Sequence, residues 1–490
     1  MQKIVAIISS QKFFYFVLGF FIFEAAWLAF SGQYPMAFDE SFHFGIIQVY
    51  SHHLSPFITT QPPESFAWGA ITRDPSYLYH FLMSFPLRFV AFFFSSQFVQ
   101  VLVIRALNIA MFAVGIVLFR RVLLKTKASR ALVNTVLLFF VLTPVVPLVA
   151  AQVNYDNLLI LLTAWIILVA IEFLDVLKKK KFDLKLLATF VILGLFSSLV
   201  KYAFLPIFLA LGLYIGVQIL QQYKSNDLSL IKHIQDSYSA MADRTKVILL
   251  ALLVLSTGMF LQRYGVNMVT YGTPIPECDQ VLGVQKCMNY GPWARNYKLV
   301  MSKAAPAGGS VTSFSYSWIK DLYNGLFFTI NGDFIRGDPF IIPLVTATVI
   351  GIFGSILMIL YRKKLFRQSY IITLLLAVIV VYCLALWAQN YSDFRHIGTR
   401  VAIQGRYLVP ILLPIYLMVG LGFSYVIKNR PLVKTWMVIG ATVLLLQGGG
   451  FLTYVMRSNL DNPTWYFKNT PARELNQQTQ KLLRHVIVGA

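Results

Sequence analysis

The sequence predicts an all-α polytopic membrane protein, and three observations lead to this fold class. Hydrophobic residues make up 57% of the 490 residues and charged residues only 13%, about half of the share usual in soluble proteins. Apolar blocks long enough to cross a bilayer follow one another from Phe13 to Leu452, with no soluble domain between them. The cations cluster between these blocks. Together these observations exclude a soluble enzyme, a disordered chain and a fibrous protein.

The apolar blocks predict about eleven spanning helices, within a range of about 10 to 13. Their approximate bounds are 13–31, 99–119, 131–150, 157–177, 186–200, 203–222, 247–262, 340–361, 369–388, 408–427 and 434–453. The first block has no small-residue cleavage site before a polar segment, so we predict a retained helix rather than a signal peptide. The run 81–119 fits two spans, or one span and a helix lying on the membrane. The run 186–220 forms a hairpin only if the chain turns near Lys201.

The distribution of charge predicts the side of the membrane that each loop occupies. The chain carries 42 Lys and Arg against 20 Asp and Glu, a formal net charge of +22. The cations are most concentrated in alternate short loops, as the positive-inside rule describes, so we exclude a nucleic-acid partner and expect Met1 in the cytoplasm. Residues 1–453 then form one transmembrane domain. The outer face holds the long loops and the C-terminal tail: 32–98, 263–339, 389–407 and 454–490.

The first candidate site is the acidic pair Asp39 and Glu40, directly after the first predicted span. Apolar residues then recur at helical spacing, which predicts an amphipathic helix lying in the outer interface: Phe42, Ile46, Val49, Tyr50 and Leu54. The helix dipole favours a carboxylate at this position, so Asp39 could simply cap the helix. It could equally act as a general base on a hydroxyl group. The two roles are compatible.

The second and third candidates are Gln152–Asn157, after the third predicted span, and Lys201. Asn154 and Asp156 could cap a helix, or Asp156 could join Asp39 in one outer cavity suited to general base chemistry. Lys201 interrupts an apolar run, and a cation within a membrane is a functional candidate because it is costly there. We expect it to bind an anion. The alternative is that it marks the hairpin turn, with its ammonium group reaching the interface.

Three arginines on the predicted outer side form the fourth candidate: Arg395, Arg400 and Arg406. The positive-inside rule does not require cations on that side. The planar guanidinium group is suited to phosphate oxygens, so the cluster predicts a lipid-phosphate site at the outer leaflet. The alternative is a general attraction to anionic lipid headgroups.

Four histidines lie in the first outer loop, near the acidic pair: His43, His52, His53 and His80. They could bind a metal, although their spacing is not diagnostic of a metal site. The three cysteines include no CxxC pair that would indicate one.

Three further signals are weaker. Glu24, within the first span, could line a cavity or make a buried hydrogen bond. Cys278 and Cys287 lie in one outer loop, and whether they pair as a disulfide is left open. Arg295 has aromatic neighbours and could either bind sugar or pack on the surface.

The four candidates, in this order and on one predicted side, resemble the GT-C superfamily of membrane glycosyltransferases. The resemblance runs from the first to the eleventh predicted span and is most specific at the acidic pair, which is followed by the interfacial helix. The segment Gln404-Gly405-Arg406-Tyr407, followed by Pro410, is similar to a motif of a large bacterial group. The resemblance implies a GT-C-like bundle with interfacial helices and loops on the outer face.

The activity that the resemblance implies is an inverting transfer of a sugar from a polyprenyl-phosphate carrier to a glycan, lipid or protein acceptor. The setting would be cell-envelope polysaccharide assembly at a bacterial plasma membrane. Asp39 would be the general base, Glu40 would replace or assist it, and Asp156 would position the acceptor. The carrier phosphate would be held by four cations: Lys201, Arg406, Arg400 and Arg395. Further substrate contacts would come from His43, Asn154, Gln404, Tyr407 and Arg295.

The implied reaction needs few further catalytic groups. The leaving lipid phosphate is a stable anion, so basic residues need only stabilise its charge, and one carboxylate base gives inversion. No cofactor is required, although a divalent metal at Asp156 is left open. We see no separate soluble domain after the last predicted span, so we expect acceptor recognition to rest largely with loop 263–339.

Other functions compete with this prediction. A flippase or transporter of lipid-linked glycans predicts inverted repeats and polar groups near the membrane midplane, whereas this chain places them at the predicted outer ends of helices. A polysaccharide polymerase or ligase also uses lipid-linked sugars but would rely less on an early acidic pair. A non-enzymatic scaffold leaves Lys201 and the outer arginines unexplained. ATP-driven transport and the common hydrolase mechanisms have no supporting motif.

Overall fold

The computed structural model describes residues 2–36, 39–224, 229–302, 310–327, 341–427, 430–446 and 471–486. Over these residues the chain is helical, with no β-strand. The first ten helices are α1 (Gln2–Ser9), α2 (Gln11–Ser31), α3 (Glu40–Ser51), α4 (Leu78–Phe93), α5 (Gln97–Lys125), α6 (Arg130–Val141), α7 (Val145–Ala150), α8 (Asp156–Leu177), α9 (Leu184–Val200) and α10 (Leu205–Lys224).

The second half of the chain continues as α11 (Leu230–Ser239), α12 (Asp243–Phe260), α13 (Val266–Tyr271), α14 (Cys278–Leu282), α15 (Val284–Cys287), α16 (Gly291–Met301), α17 (Val311–Leu326), α18 (Ile341–Leu360), α19 (Arg362–Gln368), α20 (Tyr370–Ile397), α21 (Val409–Val426), α22 (Pro431–Leu446) and α23 (Pro471–Val486). Single 3-10 turns lie at Pro63–Trp68, Tyr202–Phe204 and Gly405–Leu408, and a π-turn extends α12 at Leu261–Gly265.

Local side chains set the ends of many helices. Six helices begin after a residue whose side-chain oxygen accepts a backbone N–H of the first turn: Ser10, Ser129, Asp183, Ser229, Ser310 and Ser369. Such caps satisfy N–H groups that have no partner within the helix. At its other end α20 stops at Gly398, whose φ of 84° suits a residue without a Cβ.

Within the described ranges, eight helices are long and apolar enough to cross a membrane: Gln11–Ser31, Gln97–Lys125, Asp156–Leu177, Tyr202–Lys224, Asp243–Tyr271, Ile341–Leu360, Tyr370–Ile397 and Gly405–Val426. Each coincides with one of the eleven predicted spans. The structure is therefore consistent with a polytopic helical membrane protein.

The other three predicted spans are shorter in the structure, so the count of eleven is not confirmed. The run 131–150 is broken near Pro144 into α6 and α7, because proline cannot continue the hydrogen bonding of a helix. The run 186–200 is α9, of 17 residues. The run 434–453 is described only as far as α22 extends, and its remainder lies outside the described residues.

The helix bounds bear on two alternatives left open by the sequence. The run 81–119 contains one long helix, α5, preceded by the 16-residue α4, which fits one span plus a second, shorter helix. The chain breaks at Lys201 between α9 and α10, at the position where a hairpin required a turn. Of the predicted tail 454–490, the described part is α23, which packs against α2.

Helix α8 is the centre of the bundle. It packs against α5, α9 and α10, and 72% of its most apolar window is buried, compared with 11% for the corresponding windows of α12 and α18. Helices α12 and α18 are thus peripheral. Because α8 begins at Asp156, this residue lies at the end of the most buried of the eight long apolar helices. We call this end of the bundle the Asp39 end, since the loop carrying Asp39 meets it there.

A fully buried ion pair fastens that loop to the bundle. Glu40, the first residue of α3, receives two hydrogen bonds from Arg105 of α5, at 2.8 and 2.7 Å. Its carboxylate also accepts the backbone N–H groups of Met36 at 2.7 Å and Val153 at 3.0 Å. Arg105 donates in addition to two carbonyl oxygens at the end of α2, those of Ala29 and Gly32.

A helix is present where the sequence predicted one, α3, and Ile46 and Tyr50 are among its buried residues. Its predicted position in the outer interface stays a prediction. The helix is shorter than the sequence pattern indicated, because it ends at Ser51, and Leu54 lies beyond it and is exposed. Helix α3 packs on α4, and Arg88 of α4 donates to the carbonyl oxygens of Tyr50 and His53 at its C-terminal end.

We expect Glu40→Gln to destabilise the protein by about 3–5 kcal/mol, because Arg105 would remain buried beside a neutral side chain. Thermal unfolding in detergent, followed by tryptophan fluorescence, measures the effect. The matched control is Glu64→Gln, at an exposed glutamate in the first outer loop, which should change stability by less than about 0.5 kcal/mol. Equal melting temperatures for the two variants would contradict the assigned role of the ion pair.

Candidate active site

Asp39 lies immediately before α3 and its carboxylate faces Arg406. Arg406 Nη2 donates to Asp39 Oδ2 at 2.7 Å, and the arginine side chain is 2% exposed whereas the aspartate side chain is 54% exposed. Asp39 makes no side-chain capping hydrogen bond, although it occupies the N-cap position of α3. The capping hydrogen bond considered for Asp39 is therefore absent, and its carboxylate pairs with Arg406 instead.

The backbone of Asp39 is also unusual. Its φ of 66° and ψ of 28° lie in the left-handed region. Aspartate is one of the few residues besides glycine that enters this region readily. Asparagine shares this tolerance, so it can replace Asp39 without a backbone penalty, whereas alanine cannot.

A second acid–cation pair lies beside the first. Lys201 Nζ is 2.6 Å from Asp156 Oδ1, and both side chains are nearly inaccessible to solvent. Lys201 is held there because α9 ends directly before it, and its ammonium group lies 4.5 Å from the ring centroid of Tyr155. The other carboxylate oxygen of Asp156 is buried and has no hydrogen-bond partner among the described residues.

The ring of Tyr407 joins the two pairs. Its centroid lies 5.0 Å from Lys201 Nζ and 5.4 Å from Arg406 Cζ. The backbone carbonyl of Tyr407 accepts a hydrogen bond of 2.8 Å from the Tyr382 hydroxyl, which ties this turn to α20. Two cations and two acids thus share one aromatic surface at the Asp39 end, and we call these four residues and Tyr407 the paired site.

Glu40 is a neighbour of the paired site in sequence but not in contacts. Both of its carboxylate oxygens are occupied by Arg105 and by backbone N–H groups, as described above, and the side chain is fully buried. This geometry favours a structural role for Glu40 and leaves Asp39 as the accessible acid of the pair.

The segment before α8 is shaped by its amide side chains. Asn154 Oδ1 accepts the backbone N–H of Asp156 at 2.9 Å, an Asx turn that leads the chain into α8. Asn157 donates to three carbonyl oxygens of the preceding turn, those of Val149, Gln152 and Asn154, each at 3.1 Å. The Asn154 side chain is therefore positioned to orient Asp156.

Three of the arginines singled out in the sequence lie away from the paired site. Arg400 forms an ion pair of 2.6 Å with Asp321 of α17 on a partly exposed surface, and Arg395 is exposed near the end of α20. Arg295 donates to the side chain of its neighbour Asn296. No contact within the described part of the chain joins these three arginines to the paired site. Gln404, by contrast, lies beside Arg406 and has a buried side-chain oxygen without a hydrogen-bond partner there.

The four histidines of the first outer loop do not assemble as a group. His43 and His80 contact each other, with 2.9 Å between His43 Nδ1 and His80 Nε2, whereas His52 and His53 lie at the other end of α3. Across the described residues, no three His, Cys, Asp or Glu side chains are grouped to hold a metal ion. Burial, with smaller effects from His80, Arg406 and Lys201, lowers the pKa of His43 well below its ordinary value.

The two long loops that the sequence predicts on the outer face, 32–98 and 263–339, contact each other. Cys278 and Cys287 form a disulfide, which answers the question that the sequence left open. Shortly after it, the ring of Tyr290 stacks on that of Phe42 at 5.9 Å and lies against Gly69. The disulfide-bonded segment and the paired site are therefore at the same end of the molecule.

Two buried arginines that hold segments of this end together were not predicted from the sequence. Arg105 is a lone cation within the predicted span 99–119, so the rule that singled out Lys201 would also have found it. Arg263, on the π-turn after α12, is buried and donates to the carbonyl oxygens of Thr72 and Pro56, which anchors the first outer loop. Its partners are backbone atoms, which no side-chain pattern reveals. Glu24, the acid that the sequence singled out within the first predicted span, is fully buried in α2.

None of the protein-family models, curated proteins and solved structures compared with this chain matches it. The resemblance to GT-C glycosyltransferases thus stays a prediction from the sequence motifs.

We expect Gly405→Ala to destabilise the protein by about 1–3 kcal/mol and to displace Arg406. A Cβ at Gly405 would overlap the backbone of Gly325 and Leu326 in α17, and backbone atoms cannot rotate away as a side chain can. The matched control is Gly212→Ala in α10, where a Cβ meets nothing within 4 Å and should stabilise the helix by roughly 0.5–1 kcal/mol. Thermal unfolding in detergent distinguishes the two, and a Gly405→Ala variant as stable as the control would contradict this packing.

Proposed function

We propose that this chain is a membrane glycosyltransferase that moves a sugar from a polyprenyl-phosphate carrier to a glycan, lipid or protein acceptor on the outer membrane face, with inversion. The observation that carries the proposal is the paired site. It joins two buried cations, one accessible carboxylate and one buried carboxylate around Tyr407, at one end of an apolar helical bundle.

The two cations suit a lipid phosphate. Arg406 offers a planar guanidinium fork and Lys201 a compact ammonium group, and both are favourable partners for phosphate oxygens. Both are nearly buried, so they act in surroundings of low polarity, where charge interactions are stronger than in water. In the absence of substrate each is neutralised by an acid, which removes the cost of an isolated charge in such surroundings.

Exchange of these ion pairs would link donor binding to catalysis. A carrier phosphate that binds Arg406 competes with Asp39 for the same guanidinium group. A cation beside a carboxylate favours its ionised form, so a carboxylate that loses this partner becomes a stronger base. Donor binding would in this way release Asp39 to act on the acceptor hydroxyl.

The transfer itself is a single displacement. The acceptor oxygen forms a bond to C1 of the sugar, and the proton of that hydroxyl passes to Asp39. The bond between C1 and the phosphate oxygen breaks, and its electron pair stays on the phosphate, where Arg406 and Lys201 stabilise the charge. One displacement inverts the configuration at C1. The unpartnered oxygen of Asp156 provides an acceptor for a hydroxyl group of either substrate.

The disulfide supports an outer location for this chemistry. Disulfides persist in oxidising compartments and are rare in the cytosol. The bonded pair Cys278 and Cys287 precedes Tyr290, which packs on Phe42 of the first outer loop. A segment that belongs outside the cytosol thus contacts the loop that carries Asp39, in agreement with the orientation expected from charge.

We expect Asp39→Asn to lower turnover by at least about 100-fold, the usual contribution of a general base, without loss of donor binding. The measurement is release of polyprenyl phosphate by purified protein in nanodiscs, supplied with a panel of polyprenyl-phosphate sugars and candidate acceptors. Asparagine keeps the left-handed backbone, so the loss reports the charge. Equal release by the variant and the wild type would remove Asp39 from the chemistry, and donor binding without any release would favour a flippase.

We expect Arg406→Gln to lower kcat/KM for the donor by about 100-fold, because it removes a buried group that stabilises the leaving phosphate. The matched control is Arg400→Gln, which removes an arginine paired with Asp321 on a partly exposed surface and should change kcat/KM by less than about twofold. An equal loss in both variants would indicate a general attraction to anionic lipid rather than a phosphate site at Arg406.

A further inference from the structure

An apolar cavity lies at the end of the bundle opposite to the paired site. Helix α8 begins at Asp156 in the paired site and ends at Leu177. The ammonium group of the next residue, Lys178, lies 3.0 Å from the ring centroid of Tyr370, the first residue of α20. Helix α19 directly precedes α20, and side chains of α18, α19, α20 and α21 line a cavity of about 150 Å³. The length of α8 therefore separates this cavity from the paired site.

The lining of the cavity is apolar except for one arginine. Some of its side chains are buried in the bundle and others are exposed at its opening: Leu365, Ile372 and Met418 are buried, whereas Ile359, Phe366 and Arg362 are exposed. Apolar cavities exclude water, and hydrocarbon groups give their lining atoms the close contacts that stabilise packing. The lining thus favours a hydrocarbon chain that enters at the opening.

Cations surround that opening. Helix α19 has four basic side chains and no acidic one, and all four are exposed: Arg362, Lys363, Lys364 and Arg367. None of them forms an ion pair within the described part of the chain. Of the four, Arg362 is the one that lines the cavity. A guanidinium group suits phosphate oxygens, so an arginine beside an apolar cavity matches a ligand that carries both a phosphate and a hydrocarbon chain.

Contacts on two sides hold α19 in this position. Gln368, at its end, donates to the carbonyl oxygens of Thr126 and Lys127, at 3.4 and 3.3 Å. The same side chain accepts a hydrogen bond of 2.7 Å from the hydroxyl group of Tyr425 in α21. Tyr361, directly before α19, stacks on the ring of Tyr425 with 5.5 Å between centroids. The helix at the opening is thus fastened both to the end of α5 and to α21, and the opening is preformed.

We propose that this cavity binds an anionic phospholipid of the cytoplasmic leaflet, with an acyl chain in the cavity and the phosphate on Arg362. The Asp39 end is proposed to face outward, so the opposite end meets the cytoplasmic leaflet, whose anionic lipids are bound by basic pockets between helices. Lys363, Lys364 and Arg367 add a longer-range attraction. A zwitterionic lipid offers the chain without net charge, and a soluble phosphate ester offers the charge without a chain. The proposal depends on the orientation of the chain and not on glycosyl transfer.

Native mass spectrometry of the full chain, freed of lipid in detergent, tests the ligand class. The protein is titrated with phosphatidylglycerol, with phosphatidylcholine of the same acyl chains, and with glycerol 3-phosphate. We expect the first phosphatidylglycerol to bind at least about tenfold more tightly than phosphatidylcholine, and glycerol 3-phosphate to bind more weakly than either lipid. Equal affinities for the two lipids would overturn the role of the cations. Glycerol 3-phosphate that binds as tightly as phosphatidylglycerol would overturn the role of the cavity.

Substitutions of single cations test the place of the phosphate. We expect Arg362→Gln to weaken phosphatidylglycerol binding about tenfold, because a charge-assisted contact is lost. The matched control is Lys363→Gln, which removes the same charge from the next residue, outside the cavity lining, and should weaken binding less than about threefold. Equal losses in the two variants would indicate a diffuse attraction and overturn the site. Arg406→Gln should leave this affinity unchanged, and a loss there equal to that in Arg362→Gln would place the lipid at the paired site instead.

A substitution within the cavity tests the place of the acyl chain. Leu376 of α20 lines the cavity, so we expect Leu376→Phe to fill part of it and to weaken the binding of phosphatidylglycerol about tenfold without a change of charge. The matched control is Leu384→Phe, at an exposed leucine of the same helix, which should bind as the wild type does. Thermal unfolding shows whether each variant is folded, and Ile359→Trp at the exposed opening repeats the test without altering a buried residue. Wild-type affinity in both folded cavity variants would overturn the proposal.

Discussion

A buried ion pair between Glu40 and Arg105 fixes the position of both acids of the paired site. Glu40 follows Asp39 directly, and the same carboxylate accepts the N–H of Val153, three residues before Asp156. Arg105 holds the end of α2 through two carbonyl oxygens. Removing either charge would leave the other buried without compensation. The α2–α3 connection and the segment before α8, which are distant in the sequence, therefore meet at Arg105 of α5.

The three acid–cation pairs at this end differ in how many hydrogen bonds their carboxylate oxygens accept. The carboxylate of Glu40 is saturated by four hydrogen bonds and is fully buried. Asp39 contributes a single contact to Arg406 and is largely open to solvent, while Asp156 keeps one oxygen without a partner among the described residues. A saturated pair resists exchange because every alternative loses hydrogen bonds. Pairs with spare capacity can exchange partners when an anion or a hydroxyl group arrives.

Close backbone packing and aromatic rings surround the two ion pairs of the paired site, which we propose exchange partners. Gly405 and Gly325 lie so close that a Cβ on Gly325 would be 2.6 Å from the nitrogen of Gly405, which leaves the turn before Arg406 little freedom. The rings of Tyr155 and Tyr407 contact the cations with their faces, which are attractive to positive charge. The cations can thus lose their acid partners in part without becoming isolated charges in apolar surroundings.

The fold class, the eight long apolar helices and α3 could all be predicted from the sequence. So could four of the five residues of the paired site, through their unusual placement: Asp39, Asp156, Lys201 and Arg406. Apolar run length and isolated charge are local properties, so the sequence displays them directly. The sequence could not show which acid pairs with which cation, that Glu40 is enclosed, that Arg400 and Arg395 lie elsewhere, or that His43 contacts His80. Those outcomes depend on which helices pack together and on how far each is shifted along the bundle axis. A pairing such as Asp39 with Arg406 joins residues that are 367 positions apart in the sequence.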